Sequence, residues 1–321
     1  MNLNLLIDNL TNPALLFFLL GIIAVKLKSD LEIPPNSSKF ISLYLLFSIG
    51  FKGGQELAHS HFNLEIVWSV LFGILIAFVI PIYSYFILRK KFNVYDSGAI
   101  AAAYGSVSAV TFVTAASFLE IQHMNFSGHM VAVMALMEAP AIVVGVILIR
   151  LFDTKKEINT PILSIIKHSF TNGSVLLILG SLIIGLLASD EQAMGIKPFT
   201  NDLFKGFLAI FLLDMGIVSG KKLGDFLKSG WFAVLFAIII PLINGSLVSI
   251  ASQLITNDIG NRFMLSVLAS SASYIAVPAA MKIAVPKANP GLFLPMTLAI
   301  TFPFNITLGM PIYLTLIELF N

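Results

Sequence analysis

Cysteine is absent from this 321-residue chain, which removes disulfides, thiolate chemistry and cysteine-ligated zinc. Charge is nearly as scarce: 11% of residues are Asp, Glu, Lys or Arg, against about 25% in ordinary soluble domains. The net charge is only +2 and the basic residues are scattered rather than gathered in one stripe, so no nucleic-acid partner is expected. No Lys or Arg precedes Lys26, so the basic region of a signal peptide is missing and the first apolar run reads as a mature helix. Catalytic motifs are missing too. GIVSGKK at Gly216 is one residue short of a P-loop, and no Ser or Thr follows its lysines, which argues against ATP-driven work. GSVSA at Gly105 lacks the final glycine of a nucleophile elbow. The histidines at 59, 61, 123, 129 and 168 lack metal-ligand spacing and fall near predicted helix ends, where interfacial placement is the simple reading. The chain is not expected to be an enzyme.

What is present is apolar: 57% of residues are hydrophobic and mean hydropathy is +0.93, so the chain as a whole faces lipid. Ten apolar stretches are predicted, near 13–28, 38–54, 66–88, 97–118 and 129–151, then 171–188, 203–220, 231–256, 262–284 and 292–319. With the N-terminus outside, fifteen of the nineteen basic residues lie in inward loops, among them Lys26, Lys28, Lys39, Arg89, Lys155, Lys156, Lys221, Lys222 and Lys228. Lys52, Lys197, Lys205 and Arg262 fall outward. That asymmetry obeys the positive-inside rule and places both termini outside.

The two halves repeat each other. TNPALLFFLLGIIAVKL from Thr11 aligns with TNGSVLLILGSLIIGLL from Thr171, LFSIGFKGGQEL from Leu46 with LLDMGIVSGKKL from Leu212, and YGSVSAVTFVTA from Tyr104 with ASSASYIAVPAA from Ala269. Pro140 pairs with Pro303. The reading is one five-helix repeat over 1–152, a linker at 153–160 and a second repeat over 161–321. Five is odd, so the second copy enters the membrane from the other side, and inverted repeats supply the two access states of a carrier. Chance similarity among apolar words is the alternative, though ordered offsets argue against it.

The fourth and ninth stretches carry small polar runs at mid-depth, Gly105, Ser106, Val107 and Ser108 in one, Ser270, Ser271, Ala272 and Ser273 in the other. Serines compete with backbone hydrogen bonding, and open backbone at that depth is tolerated only where it lines a protein cavity. Broken helices there would aim two helix N-termini, from about Val110 and Ile275, at one place, a ready anion site. Tight packing of small residues is the alternative. Two acids lie inside predicted spans, each costly unless partnered. Glu138, near Thr301 and Asn305 in the repeat alignment, suits a sodium ion or proton, with Ser108 and Ser273 completing the set; pairing with Lys282 or service to a Pro-loosened helix is the other reading. Asp214 reads as structural. Lys52 and Glu56, four residues apart, read as an interfacial ion pair.

The residues FKGG (Phe51 to Gly54), YGSVSAVTF, MEAP and the run from Ala272 to Tyr313 resemble the sodium-dependent bicarbonate transporter family known from cyanobacteria, over nearly the whole chain. The resemblance implies an all-α, ten-helix membrane protein of the elevator type in a bacterial plasma membrane. Helices 1, 2, 6 and 7 would form the gate, helices 3–5 and 8–10 the moving core, and three copies a homotrimer. It implies Na⁺:bicarbonate symport, no organic cofactor, and a substrate site at Gly105 to Ser108 and Ser270 to Tyr274. Two departures stand out. The family carries an acidic residue where this chain has Tyr274, and a much longer linker for a PII-like regulator, against which the short Asp153 to Thr160 segment argues. A carrier of another small organic anion, or a receptor that binds without transporting, are the rival readings.

Overall fold

The computed structural model describes residues 3–60, 63–154, 161–226 and 230–321; Lys155, Lys156 and Lys228, His61 and most of the 153–160 linker lie outside them. Among the described residues the chain is helical throughout, without strands. In order, the helices are α1 (Leu3–Leu10), α2 (Pro13–Lys26), α3 (Pro35–His59), α4 (Leu64–Leu88), α5 (Val94–Gly105), α6 (Ala109–Ile121) and α7 (His129–Phe152). Then follow α8 (Ile162–Phe170), α9 (Gly173–Leu187), α10 (Asp190–Lys197), α11 (Phe204–Phe226), α12 (Trp231–Ala251), α13 (Ile259–Ser270), α14 (Ala276–Ala284) and α15 (Pro290–Leu319).

Six segments are long and apolar enough to cross a membrane, among them α4, α7, α12, α15 and the α5–α6 pair, and α8 with α9 makes a seventh although bent by 54°. Beyond that pair, three of the ten predicted stretches do not qualify. α2 has only 14 residues, α3 carries Lys39, Lys52, Gln55 and Glu56, and the 262–284 stretch divides into α13 and α14. The last has a physical reason: Gly260 through Ser270 are buried in protein, so packing rather than lipid decides their composition.

Helix starts recur at matched positions in the two halves. Asn12 caps α2 by accepting from Ala14 N at 2.9 Å, and Asn172 caps α9 by accepting from Ser174 N at 3.0 Å. Each follows a short helix, α1 or α8. Likewise Asn93 caps α5 and Asp258 caps α13, through Asp96 N at 2.8 Å and Asn261 N at 2.7 Å. Each side chain takes up an N–H that the first helical turn leaves without a partner.

The helix pairs match as well: α2 packs on α11 as α9 packs on α3, while α4 gathers α5 and α7 as α12 gathers α13 and α15. Small residues set the first two crossings. A Cβ on Gly21 would strike the Leu213 carbonyl, and one on Gly216 the Phe18 carbonyl; at the other crossing Gly54 meets the Leu182 carbonyl and Gly185 the Phe51 carbonyl. Backbone cannot retreat as a flexible side chain can, so Gly185→Ala is expected to cost about 1–3 kcal/mol. Gly180→Ala, on the same helix but with open space around it, should keep full stability. Thermal unfolding of the two purified variants in one detergent compares them; equal transitions would show that the crossing yields.

α15 is irregular where it matters. Pro295, Pro303 and Pro311 each withhold a backbone donor, and the helix widens into π turns at Met296–Thr301 and Asn305–Gly309. Outward-facing apolar side chains, such as Leu71, Leu75, Phe78 and Ile82 on α4 and Ile239, Ile243 and Leu247 on α12, give the lipid-facing surface.

Candidate functional site

Both predicted breaks are present and they touch. α5 ends at Gly105 and α6 restarts at Ala109; α13 ends at Ser270 and α14 restarts at Ala276. Ser106 and Ser271 leave their helices in extended backbone. The breaks then bond to each other: Ser273 N donates to the Ala103 carbonyl at 2.8 Å, and Ser108 N donates to Ser271 Oγ at 3.0 Å. Carbonyls and amides that broken helices would otherwise leave bare in the interior are thus partly satisfied across the crossing.

The serines have distinct tasks. Ser108 Oγ caps α6 by accepting from Thr111 N at 3.1 Å, and Ser271 Oγ, besides accepting from Ser108, donates to the Leu268 carbonyl at 3.0 Å. Ser270 turns back to the Val267 carbonyl. Ser106 Oγ is buried without a partner. Gly105 has no room for a side chain, because a Cβ would run into the Pro81 ring of α4. Close packing and an opening toward a site therefore coexist at one break.

A cavity of about 30 Å³ lies against this crossing. Val107, Ser108 and Ala109 at the start of α6 and Ser273, Tyr274 and Ile275 before α14 border it, facing Glu138 from α7. The far wall comes from α3 and α9, including Ser42 and Ser174. Two helix N-termini thus converge on one small space, each with N–H groups that lack an intrahelical acceptor and the positive end of a helix dipole. Space of this size takes one or two water-sized groups, roughly the scale of an ion with few heavy atoms.

Of the nine positions expected around the substrate, Val107, Ser108, Ser273 and Tyr274 line the cavity, while Gly105, Ser106, Ser270, Ser271 and Ala272 form the structure behind it. Of the five expected around a cation, Ser108, Ser273 and Glu138 line it and the other two do not. Thr301 donates to the Ala237 carbonyl at 2.7 Å, so its contact with Tyr104 at 2.7 Å has the tyrosine as donor. Asn305 donates to the Ser270 carbonyl at 2.8 Å, closing the end of α13, and its own oxygen lies 3.0 Å from the Tyr313 hydroxyl. Both side chains sit in the widened turns of α15: Asn305 braces the second break, and Thr301 ties α15 to α12 and to Tyr104 just before the first. Among the described residues Glu138 forms no ion pair with Lys282, whereas His59–Asp190 and Lys205–Glu120 do pair.

Three other expectations need correction. Lys52 and Glu56 do not pair directly; the Lys52 ammonium lies over the Phe204 ring, 5.8 Å from its centroid. Arg262, counted among the outward charges, does not face solvent but is fully buried in α13, donating to the Ser249 carbonyl at 3.0 Å and to Asn321 at 3.1 Å. His129 is buried at the start of α7, whereas His59 is exposed at the end of α3. The His59 ring donates to the Gln55 carbonyl at 2.8 Å and meets Asp190 at 3.1 Å, and these contacts, the carbonyl first, hold its pKa above the ordinary value. Asp214 accepts a short hydrogen bond from Ser38, a tie between α11 and α3 that fits its structural reading. Sequence reasoning missed the α3 and α9 wall, Ser42 and Ser174, and the support from Tyr104 and Tyr313. No local pattern marks residues that join a site only through packing.

An apolar helical body with two mutually bonded helix breaks and a small cavity where their helix N-termini meet defines a multi-pass membrane protein of the transporter class. The chain belongs to the Na⁺-dependent bicarbonate transporter superfamily, whose family model matches residues 13–318. No curated protein matches it.

Proposed function

We propose that the protein is a secondary active carrier that brings bicarbonate across the membrane with Na⁺. The observation that carries this reading is the cavity itself: helix N-termini suited to an anion and one carboxylate, Glu138, suited to a cation border the same small space. Membership of a Na⁺-dependent bicarbonate transporter superfamily supplies the substrate and the ion. The amides and serines before α6 and α14 hold the anion. Na⁺ is a co-substrate held with Ser108, Glu138 and Ser273, close enough that each ion favours the other's binding.

In this reading the chain crosses the membrane ten times as two inverted repeats, 1–152 and 161–321, joined at 153–160, with both termini outside. α2, α3 and α13–α14 are spans in this reading as well: α13 is buried in protein from Gly260 to Ser270, while α2 turns Leu16, Phe17, Leu20 and Ile23 outward as a lipid-facing helix does. The matched caps, helix pairs and glycine crossings support that symmetry. α2, α3, α9 and α11 make the gate and the remaining spans the moving core of an elevator, in the homotrimer that the resemblance implies. A second cavity of about 560 Å³ opens beside the first, lined by Ser38 and Lys39 of α3 and Asp214 and Lys221 of α11. Its lysines support a place on the cytoplasmic side, and in this reading the site faces inward.

Uptake of labelled bicarbonate into proteoliposomes tests the reading. An inward Na⁺ gradient at fixed alkaline pH is expected to drive accumulation above the outer concentration, and an equal K⁺ gradient is not. No accumulation by folded, inserted protein would reject bicarbonate or its coupling to Na⁺.

A further inference from the structure

Four residues are common to the small cavity and the large vestibule: Ser42, Ser174, Tyr274 and Ile275. They form the partition between a space for one small ion and a space roughly twenty times larger. Tyr274 is the largest of the four. It sits in the non-helical segment between α13 and α14, with its ring edge against Phe302 at 6.2 Å between centroids, and Phe302 packs in turn on Phe18 of α2 at 5.8 Å. The ring is therefore backed from behind by aromatic groups. Its hydroxyl oxygen is buried, neighbours the Ser108 hydroxyl and makes no hydrogen bond of ordinary geometry among the described residues.

A buried phenol without a partner loses its hydration and gains nothing in return, which is unfavourable unless something else uses the donor. The Ser108 oxygen already accepts from Thr111 N, the Asp214 carboxylate is bonded to Ser38, and Glu138 borders the same small cavity. A phenol beside converging helix N-termini adds one more donor to theirs, and a neutral donor suits an anion without bringing a charge.

Building on the anion site proposed above, we infer that Tyr274 determines the specificity of that site: its ring limits the ligand to the small cavity, and its hydroxyl donates to the anion held there. The ring acts on size and the hydroxyl on charge, so two substitutions separate them. Tyr274→Phe keeps the wall and removes the donor. Tyr274→Ala removes both and merges the two spaces.

Because the chain has no cysteine, the wall can be read without any substrate. Ala135, which lines the small cavity, is replaced by cysteine and labelled with a membrane-impermeant maleimide in inside-out vesicles. In that background Tyr274→Ala is expected to speed labelling at least about tenfold, and Tyr274→Phe to leave it unchanged. In uptake assays without the reporter, Tyr274→Phe should raise the KM for bicarbonate about tenfold with little change in maximal rate, the scale of one hydrogen bond to a charged group. Tyr274→Ala should in addition let acetate and larger monocarboxylates compete with bicarbonate, which the parent excludes. Unchanged labelling in Tyr274→Ala would overturn the wall, and an unchanged KM in Tyr274→Phe would overturn the donor. If the parent protein takes up no bicarbonate, the proposed function falls and the donor with it, while the labelling rates still decide whether the ring closes the cavity.

Discussion

Ser273→Leu is expected to abolish bicarbonate uptake while leaving a folded protein. The leucine puts three carbons where one hydroxyl oxygen stood, at the edge of a cavity of only about 30 Å³, so it occupies the space an anion needs. It also removes the oxygen 3.4 Å from Val277 N in the first turn of α14. The amide of residue 273 still donates to the Ala103 carbonyl, so the join between the breaks survives, and the fold with it. Ser273→Ala isolates the hydroxyl: with the space kept, uptake should fall only about 3- to 10-fold, the range of one modest hydrogen bond. Ser108→Leu should match Ser273→Leu, because it blocks the cavity from the other break and strips the cap from Thr111 N. Uptake near the parental rate in both leucine variants, with parental thermal transitions, would remove the crossing as the site.

Glu138→Gln is expected to separate binding from coupling. Glu138 borders the cavity without a hydrogen-bond or ion-pair partner among the described residues, on a helix otherwise dominated by apolar side chains. An ionised carboxylate facing the anion repels it, and a cation between them turns the repulsion into mutual attraction. Coupling energies between linked sites commonly reach ~1–3 kcal/mol, about 5- to 150-fold in affinity, and the effect is reciprocal. Glutamine keeps the size and loses the charge. The variant should still exchange bicarbonate across the membrane, but Na⁺ should no longer raise its affinity and a Na⁺ gradient should no longer drive accumulation. Paired exchange and net-uptake assays read the two effects apart. Retained Na⁺-driven accumulation in Glu138→Gln would mean that the cation is held by other groups, and would detach Glu138 from the mechanism.

Some parts of this molecule were legible because they follow from one stretch of chain meeting one environment. Eleven per cent charge and long apolar runs cannot be buried in a chain this size without lipid. GSVS and SSAS marked the breaks to within two residues, since consecutive small and hydroxyl side chains favour capping over continued helix. Where the signal depended on what lay outside the helix, it failed. Arg262 read as an outward charge, yet it is buried because the Ser249 carbonyl and Asn321 come within its reach. Lys52 and Glu56 had the spacing of a pair, yet Phe204 from another helix drew the lysine away.

The sequence by itself determined the solvent, the helical class, the positions of the breaks and the family, because composition, local backbone preference and a long alignable pattern each act without reference to distant contacts. Only the tertiary structure decided that the breaks bond to one another, that Thr301 and Asn305 brace the site from behind, and that Ser42 and Ser174 complete its wall. Those depend on which helices come within hydrogen-bond distance once the glycine crossings are packed. Such distances, of about 3 Å between residues up to 200 positions apart, are set by the sum of all the packing and by no single segment.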